Sequence, residues 1–465
     1  MRLGKLLLTW MALLCFCVPR SQAQTVTVSW NNLDQLVDGF GVSSYAPTAV
    51  LTAAQAAFFF STGPGALGLS LMRTFIPVDG SCATVNAACA GGPNSGDTPL
   101  AIANGVKVWS TALSPPASMK TNGSVDCTAG SGNGALSPGS YSAYADYLAN
   151  YVRSFKSLYG TNLYAISVQN EPDGCQSYSS TLWTAAQLNT FIRINLGPTL
   201  ASAGLSSTLM MMPESSHYAS FATLAGATMD DPVAAAYVGI NAWHDYDDAP
   251  SAPNPYAAQN KLYWETEASA GIGTDGKEFG PSLCGGCWDP SIQDALMWAQ
   301  IVDNRMSVAN ANAWHWFVTI GPNNANEGLA TIGSPTVVSK RAYMLGNYSK
   351  FVRPGFHRID ATHTPQSGVL VSAYKNASTG ALVIVVVNQN TSGVSQSFTL
   401  QGATVPSLTP WVTSASLNLA EQSDVYVGGG SFTYTLPASS ITSFVGTATA
   451  VGAIVAPTNL KAMAQ

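Results

Sequence analysis

The strongest constraint on this chain is a recurring unit. A short apolar run rich in β-branched residues ends in polar residues, a segment with helical spacing follows, and the unit repeats. The first run ends in Asp38-Gly-Phe-Gly41. The others fall at 69–75, 107–111, 165–168, 209–212, 238–242, 262–266 and 313–317. Helical spacing lies at 53–60, 140–158, 185–195, 293–309 and 342–351, and in the second of these Tyr144, Leu148, Tyr151 and Phe155 share one side. This alternation predicts the α/β class, a parallel (β/α)8 barrel with its chemistry at the strand ends.

The clearest strand end is Leu163-Tyr-Ala-Ile-Ser-Val-Gln-Asn-Glu-Pro-Asp173. Its apolar centre suits a strand buried on both faces, and it stops in Gln169-Asn170-Glu171. Pro172 has no N–H for a ladder and steers the preceding residue away from helix. A second carboxylate-bearing end is Leu262-Tyr-Trp-Glu-Thr-Glu-Ala268.

With 465 residues, 46% hydrophobic and only 9% charged, the chain can build a barrel and a companion domain. The net charge of −6 argues against a nucleic-acid binder, which needs a basic face. Residues 1–23 read as a secretory signal: Arg2 and Lys5, then an apolar run too short for a membrane span, then Ser21-Gln22-Ala23. No later stretch could span a membrane. The protein is therefore expected to be secreted, extracellular or periplasmic, and to act as a monomer. The cysteines outside the signal are Cys82, Cys89, Cys127, Cys175, Cys284 and Cys287, which oxidising conditions would pair. We expect Cys82–Cys89 and Cys284–Cys287 as local staples, leaving Cys127–Cys175 across two loops. A zinc site at Cys284-Gly-Gly-Cys287 lacks a second pair.

After Val352-Arg-Pro-Gly355 the texture changes to short alternating strands without helix, as in Gly380-Ala-Leu-Val-Ile-Val-Val-Val-Asn388. We therefore expect the barrel over 35–355 and an antiparallel β-sandwich over 356–446. Residues 24–34, which alternate, form a strand joining that sandwich, and 447–465 is an unassigned tail.

Glu171 and Glu267 stand at the ends of strands four and seven, which face each other across a barrel mouth. Glycosidic bond cleavage uses such a pair: one carboxyl protonates the departing oxygen, the other attacks the anomeric carbon or activates water. Their separation is about 5–5.5 Å in retaining enzymes and roughly 6.5–9.5 Å in inverting ones. Arg73, near the end of strand two, can keep Glu267 ionised, leaving Glu171 to donate the proton. Asn170 can bond the sugar hydroxyl beside the reacting carbon. Trp109, His244, Tyr246, Trp314 and Trp316 are expected to line the cleft and bind substrate. Each has a plainer alternative. Trp314 and Trp316 could both be core, His244 a buried structural histidine, and Arg73 an ordinary ion-pair partner. Glu265 competes with Glu267 and is expected to face the opposite side. No G-x-S-x-G elbow or H-E-x-x-H zinc motif occurs, and the chemistry requires no metal or cofactor.

The Asn170-Glu171-Pro172 segment resembles the acid/base segment of barrel glycosidases with catalytic glutamates on strands four and seven. More closely, the chain resembles glycoside hydrolase family 30. The likeness is carried by Asp38-Gly-Phe-Gly41, Gly68-Leu-Ser-Leu-Met-Arg73, Ser114-Pro-Pro-Ala-Ser-Met-Lys120, Val168-Gln-Asn-Glu-Pro-Asp173, Trp264-Glu-Thr-Glu267, Leu345-Gly-Asn-Tyr-Ser-Lys-Phe-Val-Arg-Pro-Gly355 and Leu436-Pro-Ala-Ser-Ser-Ile-Thr442. It covers nearly all of the mature chain. It implies Glu171 as acid/base, Glu267 as nucleophile, Arg73 as the cation on the nucleophile, and Asn170 as a sugar contact.

Two departures stand out. Many relatives carry a tryptophan where this chain has Leu113. Relatives specialised for glucuronic-acid-branched xylan carry an arginine after strand eight, where this chain reads Val318-Thr-Ile-Gly-Pro-Asn-Asn324. The segment 410–420 resembles the secreted xylan-degrading branch. The expected activity is that of a secreted, retaining endo-β-glycanase on xylan-type polysaccharide. The alternatives are an endo-β-1,6-glucanase or galactanase, a glucosylceramidase-like enzyme, or a non-catalytic carbohydrate-binding protein.

Overall fold

The structure, a computed structural model, describes residues 24–44, 50–91, 95–130, 134–246, 250, 252–273, 276–332 and 336–451. The expected signal, and the tail beyond 451, lie outside the described residues. Eight parallel strands close a barrel: Gly39–Ser43, Leu71–Ile76, Lys107–Ala112, Ala165–Ser167, Leu209–Ser215, Val238–His244, Leu262–Glu267 and Ala313–Trp316. They are called one to eight in that order. Strand eight pairs with strand one, placing Ala313 beside Gly39 and His315 beside Gly41.

The two-residue period of a strand divides each one between two cores. Leu71, Trp109, Ala165, Met211, Ile240, Ala242, Trp264 and Ala313 fill the barrel interior. Residues one step away, such as Met72, Val108, Ile166, Tyr263 and Trp314, pack outward into the larger core that includes the helices. Gly41 is a required glycine. A Cβ there would sit 2.1 Å from His315 Cδ2, so a larger residue would evict the histidine from the interior.

The surrounding helices include Ala53–Phe60, Tyr141–Tyr159, Ile292–Ser307 and Lys340–Ser349, each within two residues of its expected bounds. The helix starting at Ala185 runs further than expected. It continues through a π-helical turn, Phe191–Leu196, into Gly197–Ser202. The wider turn accommodates Pro198, which has no N–H to contribute. Tyr218–Met229 was not anticipated, although its buried Phe221, Leu224, Ala225, Thr228 and Met229 follow helical spacing. Its exposed face is largely alanine, serine and threonine, so the contrast between faces is weak. Between strands six and seven the described residues contain only a 3-10 turn, Ala257–Gln259.

The C-terminal part is one ten-stranded sheet wrapped around its own core. Val26–Val37 lies within it, antiparallel to Phe356–Ala361 and parallel to Val394–Gln401. Near the end of the described chain, Ser440–Thr447 lies inside the sheet between Ala381–Asn388 and Ser407–Thr413, and Thr449–Ala450 pairs with Ala403–Thr404. The apolar run Ala381–Asn388 is continuous because both of its faces are buried. Leu382, Ile384 and Val386 enter the sandwich core, whereas Val383, Val385 and Val387 pack into the barrel's outer core. All three disulfides form as expected: Cys82–Cys89, Cys127–Cys175 and Cys284–Cys287.

Asn347 ties the two parts together with no exposed surface of its own. Its Nδ2 donates to Trp411 O and Ser443 Oγ, both at 2.9 Å, and its Oδ1 accepts from Thr413 Oγ1 at 2.6 Å. Asn347→Ala strands these buried partners. It should lower the unfolding free energy by about 2–4 kcal/mol, from roughly 1–3 kcal/mol per unsatisfied group with partial relief by relaxation. Urea denaturation measures this, and an unchanged midpoint would show that the clamp contributes nothing.

Candidate active site

Arg73 lies on the interior-facing side of strand two, in register with Trp109, and has no exposed surface. Its Nη1 donates to Glu267 Oε2, and its Nη2 donates to Asn170 Oδ1 and, at 2.6 Å, to Glu214 Oε1. The guanidinium lies 5.3 Å from the Trp109 ring and 5.0 Å from the Phe75 ring. A buried guanidinium costs several kcal/mol unless partnered, and both Nη atoms of this one meet carboxylate or amide oxygens while its Nε has no hydrogen-bond partner.

Glu267 ends strand seven. Its Oε1 accepts from the Tyr246 hydroxyl at 2.6 Å, and its Oε2 lies 3.8 Å from His244 Nε2. Burial alone would raise its pKa. The charges of His244 and Arg73, with the bonds from Tyr246 and Arg73, outweigh burial and hold the carboxyl below its usual range. Burial opposes the charge on His244 as well, but Glu267, Glu171 and Glu214 push it up to about 10. The ring is therefore an imidazolium at neutral pH, with Nδ1 3.0 Å from Glu171 Oε1 and Nε2 3.4 Å from Glu214 Oε1.

Glu171 follows strand four in the left-handed region, at φ 45°. That conformation strains a non-glycine residue by about 1–2 kcal/mol. The Glu171 N–H donates to Glu214 O at 2.9 Å, and the Asn170 N–H to Ala112 O at 2.9 Å, which hold the turn open toward the mouth. Oxygens of Glu171 and Glu267, with a His244 nitrogen, all lie within 4.8 Å of one another. So close an approach of one oxygen from each acid is compatible with double displacement. The same trio could in outline hold a metal ion, which would have to displace the His244 proton to bind there.

Glu171, Glu267, Arg73, Asn170, His244 and Tyr246 thus converge. Three expected cleft residues do not. Trp109 has no exposed surface; it lies in the barrel interior and donates to His315 Nε2 at 3.1 Å. Trp314 and Trp316 face outward from strand eight and pack on Trp298, with ring centroids 6.4 and 4.7 Å away. His315, between them, points inward, so the alternation that placed both tryptophans together placed them on the core side.

Glu265 does face away from Glu267, for a reason beyond simple alternation, which puts residues two apart on one face. A bulge pairs Trp243 with Glu265 but His244 with Glu267, so one extra residue separates the two acids. The Glu265 carboxylate accepts the backbone N–H groups of Glu267 and His315, each at 2.7 Å. Glu214, near the end of strand five, was missed. Its signal was Pro213-Glu214-Ser215 closing an apolar methionine run, the same apolar-to-acid ending seen at Glu171.

This barrel mouth, with two carboxyls around a shared cation, is that of a glycoside hydrolase. Residues 98–339 match the model of the glycosyl hydrolase family 30 TIM-barrel domain, and 355–444 that of the family's beta sandwich domain. The chain belongs to glycosyl hydrolase family 30. It is 32% identical to glucuronoxylanase XynC of Bacillus subtilis (strain 168) over 91% of this chain and 92% of that protein. Among solved structures it resembles the family 30 subfamily 8 xylanase Xyn30A of Clostridium acetobutylicum, with a TM-score of 0.78, 31% identity, and coverage of 91% of this chain and 99% of that one. It also resembles a GH30 endoxylanase from Clostridium papyrosolvens C71, with a TM-score of 0.75 and 31% identity over 91% and 100% of the two chains.

The raised pKa of His244 sets a pH dependence. Its folded value, about 10, lies above the ordinary 6.5, so its contribution to stability is complete below about 6.5 and is lost as pH rises through about 10. His244→Gln should therefore flatten the fall in melting temperature between pH 7 and 10 relative to wild type. Parallel slopes in the two proteins would contradict a charged His244.

Proposed function

We propose that the protein is a secreted, retaining endo-β-xylanase in which Glu267 is the nucleophile and Glu171 the acid/base. The observation that carries this reading is the approach of one oxygen of each carboxyl to within 4.8 Å of the other, beside an arginine bound to only one of the two acids. Arg73 and Tyr246 keep Glu267 anionic and aim it. In the first step a Glu267 oxygen bonds the anomeric carbon as the bond to the leaving oxygen breaks, and Glu171 gives that oxygen its proton. In the second, Glu171 takes a proton from water, which displaces Glu267. Asn170, held by Arg73, faces the sugar beside the reacting carbon.

Likeness over nearly the whole chain to proteins named as xylanases supports the substrate class. The loop after strand eight bears on branch dependence. Arg341 is fully buried on Asp294 at 2.8 Å, and Lys340 Nζ bonds Leu417 O at 3.0 Å. Neither serves a glucuronate in the cleft, which supports action on chains without that branch. Three disulfides support an extracytoplasmic location. Among the described residues no helix is long and apolar enough to cross a membrane.

Glu171→Ala should slow xylan hydrolysis by about 10²–10⁴-fold. It should slow an aryl β-xylobioside with a good leaving group far less in the glycosylation step. Azide should yield a β-glycosyl azide with Glu171→Ala and an α-glycosyl azide with Glu267→Ala. Hydrolytic turnover by Glu267→Ala at the wild-type rate would sink the assignment. Neutral arabinoxylan and glucuronoxylan should be cut at comparable rates, with β-1,6-glucan resistant; product sizing on these polymers decides the substrate.

A further inference from the structure

Glu214 is a carboxylate with no exposed surface, it carries no role in the steps above, and it sits beneath both reacting acids. Its Oε1 is 2.6 Å from Arg73 Nη2 and 3.4 Å from His244 Nε2, and its Oε2 accepts from Thr111 Oγ1 at 2.7 Å. Its carbonyl accepts the Glu171 N–H at 2.9 Å, and it shares the left-handed backbone of Glu171, at φ 57°. One residue thus touches the cation on the nucleophile, the cation on the acid/base, and the backbone of the acid/base.

The charges through the reaction show what such an anion does. In the form that reacts, Arg73 and His244 carry two positive charges, Glu214 and Glu267 two negative ones, and Glu171 carries the proton it donates. After the first step Glu267 is a neutral ester and Glu171 is an anion, its proton having gone to the leaving group. The cluster is neutral in both states only if Glu214 stays ionised throughout. His244 bridges the two acids, so its partner changes from Glu267 to Glu171 without any movement. Arg73 loses its anionic partner on Glu267 in the intermediate, and Glu214 is the anion that still holds it.

Resting on the reading of Glu267 as nucleophile and Glu171 as acid/base, we propose that Glu214 is a positioning residue for this reaction. It is a fixed anion that keeps Arg73 and His244 charged and oriented while negative charge passes from Glu267 to Glu171. Burial opposes its ionisation, and the charges of Arg73 and His244 with bonds from neighbouring side chains hold it below the usual carboxylate range, as this role requires.

The test compares E214Q and E214D in the full-length enzyme on an aryl β-xylobioside. E214Q should lower kcat about 10–100-fold, the range typical of removing a group that orients a reactive side chain, with KM within about threefold. With one anion gone, His244 loses its proton more readily, so the basic limb of kcat/KM should move to lower pH. E214D keeps the charge and should return that limb toward its wild-type position. Wild-type kcat and limbs in E214Q would overturn the proposal. So would a loss of rate with unmoved limbs that E214D does not relieve, because that pattern marks a purely structural residue. If E214Q fails to fold, T111V substitutes: it removes a donor to the Glu214 carboxylate and so weakens its charge, kcat should fall and the basic limb should move to lower pH, and an unchanged kcat or an unmoved limb would overturn the proposal. Azide products from the Glu267 and Glu171 variants test the underlying assignment separately, so its failure is distinguishable from that of Glu214.

Discussion

The buried guanidinium of Arg73 is the constraint around which the barrel mouth is built. A cation with no exposed surface must be matched by anions and acceptors at hydrogen-bond range, or the fold carries an uncompensated charge. Here the matching groups come from strands four, five and seven: Asn170, Glu214 and Glu267. Because those groups lie far apart in the chain, the arginine can be satisfied only when the barrel closes in the right register. Stability and catalytic geometry are thus set by the same contacts.

His244 extends this network to Glu171. Its ring touches Glu171 and Glu214 and approaches Glu267, so one delocalised cation is shared by three carboxylates. Beneath it, Glu265 accepts two backbone N–H groups and His315 fills the space that Gly41 leaves. These layers leave little room for the reacting side chains to move, and fixed dipoles and charges are what make electrostatic stabilisation effective in a site with little water. The sandwich stiffens the barrel from outside. The strand Ala381–Asn388 is apolar on both faces, and Asn347 on the last barrel helix bonds Trp411, Thr413 and Ser443 of two other strands of the sheet.

Much of this was legible in the chain before any coordinates. The alternation of strand and helix, the polar stops at Glu171 and Glu267, and Arg73 near the end of strand two follow from burial and periodicity, which act locally. The three cysteine pairs agreed with expectation, two of them closing loops of a few residues. Tryptophans were read less well. Aromatic side chains serve equally as sugar platforms and as core, and composition cannot tell which. Trp314 and Trp316 show the difference, since a single step of strand parity sends them outward and His315 inward.

The sequence by itself determined the barrel, the companion sheet and the two acids that meet at the mouth, because hydrophobic periodicity and proline and glycine stops are properties of neighbouring residues. Only the tertiary structure decided which acid of Glu265 and Glu267 faces the cleft, and that Glu214 belongs to the same cluster. The first depends on a bulge in pairing with strand six, the second on charges brought together from separate strands. Both are relations between distant segments, and a strand's register and a buried charge's partners exist only once those segments have packed.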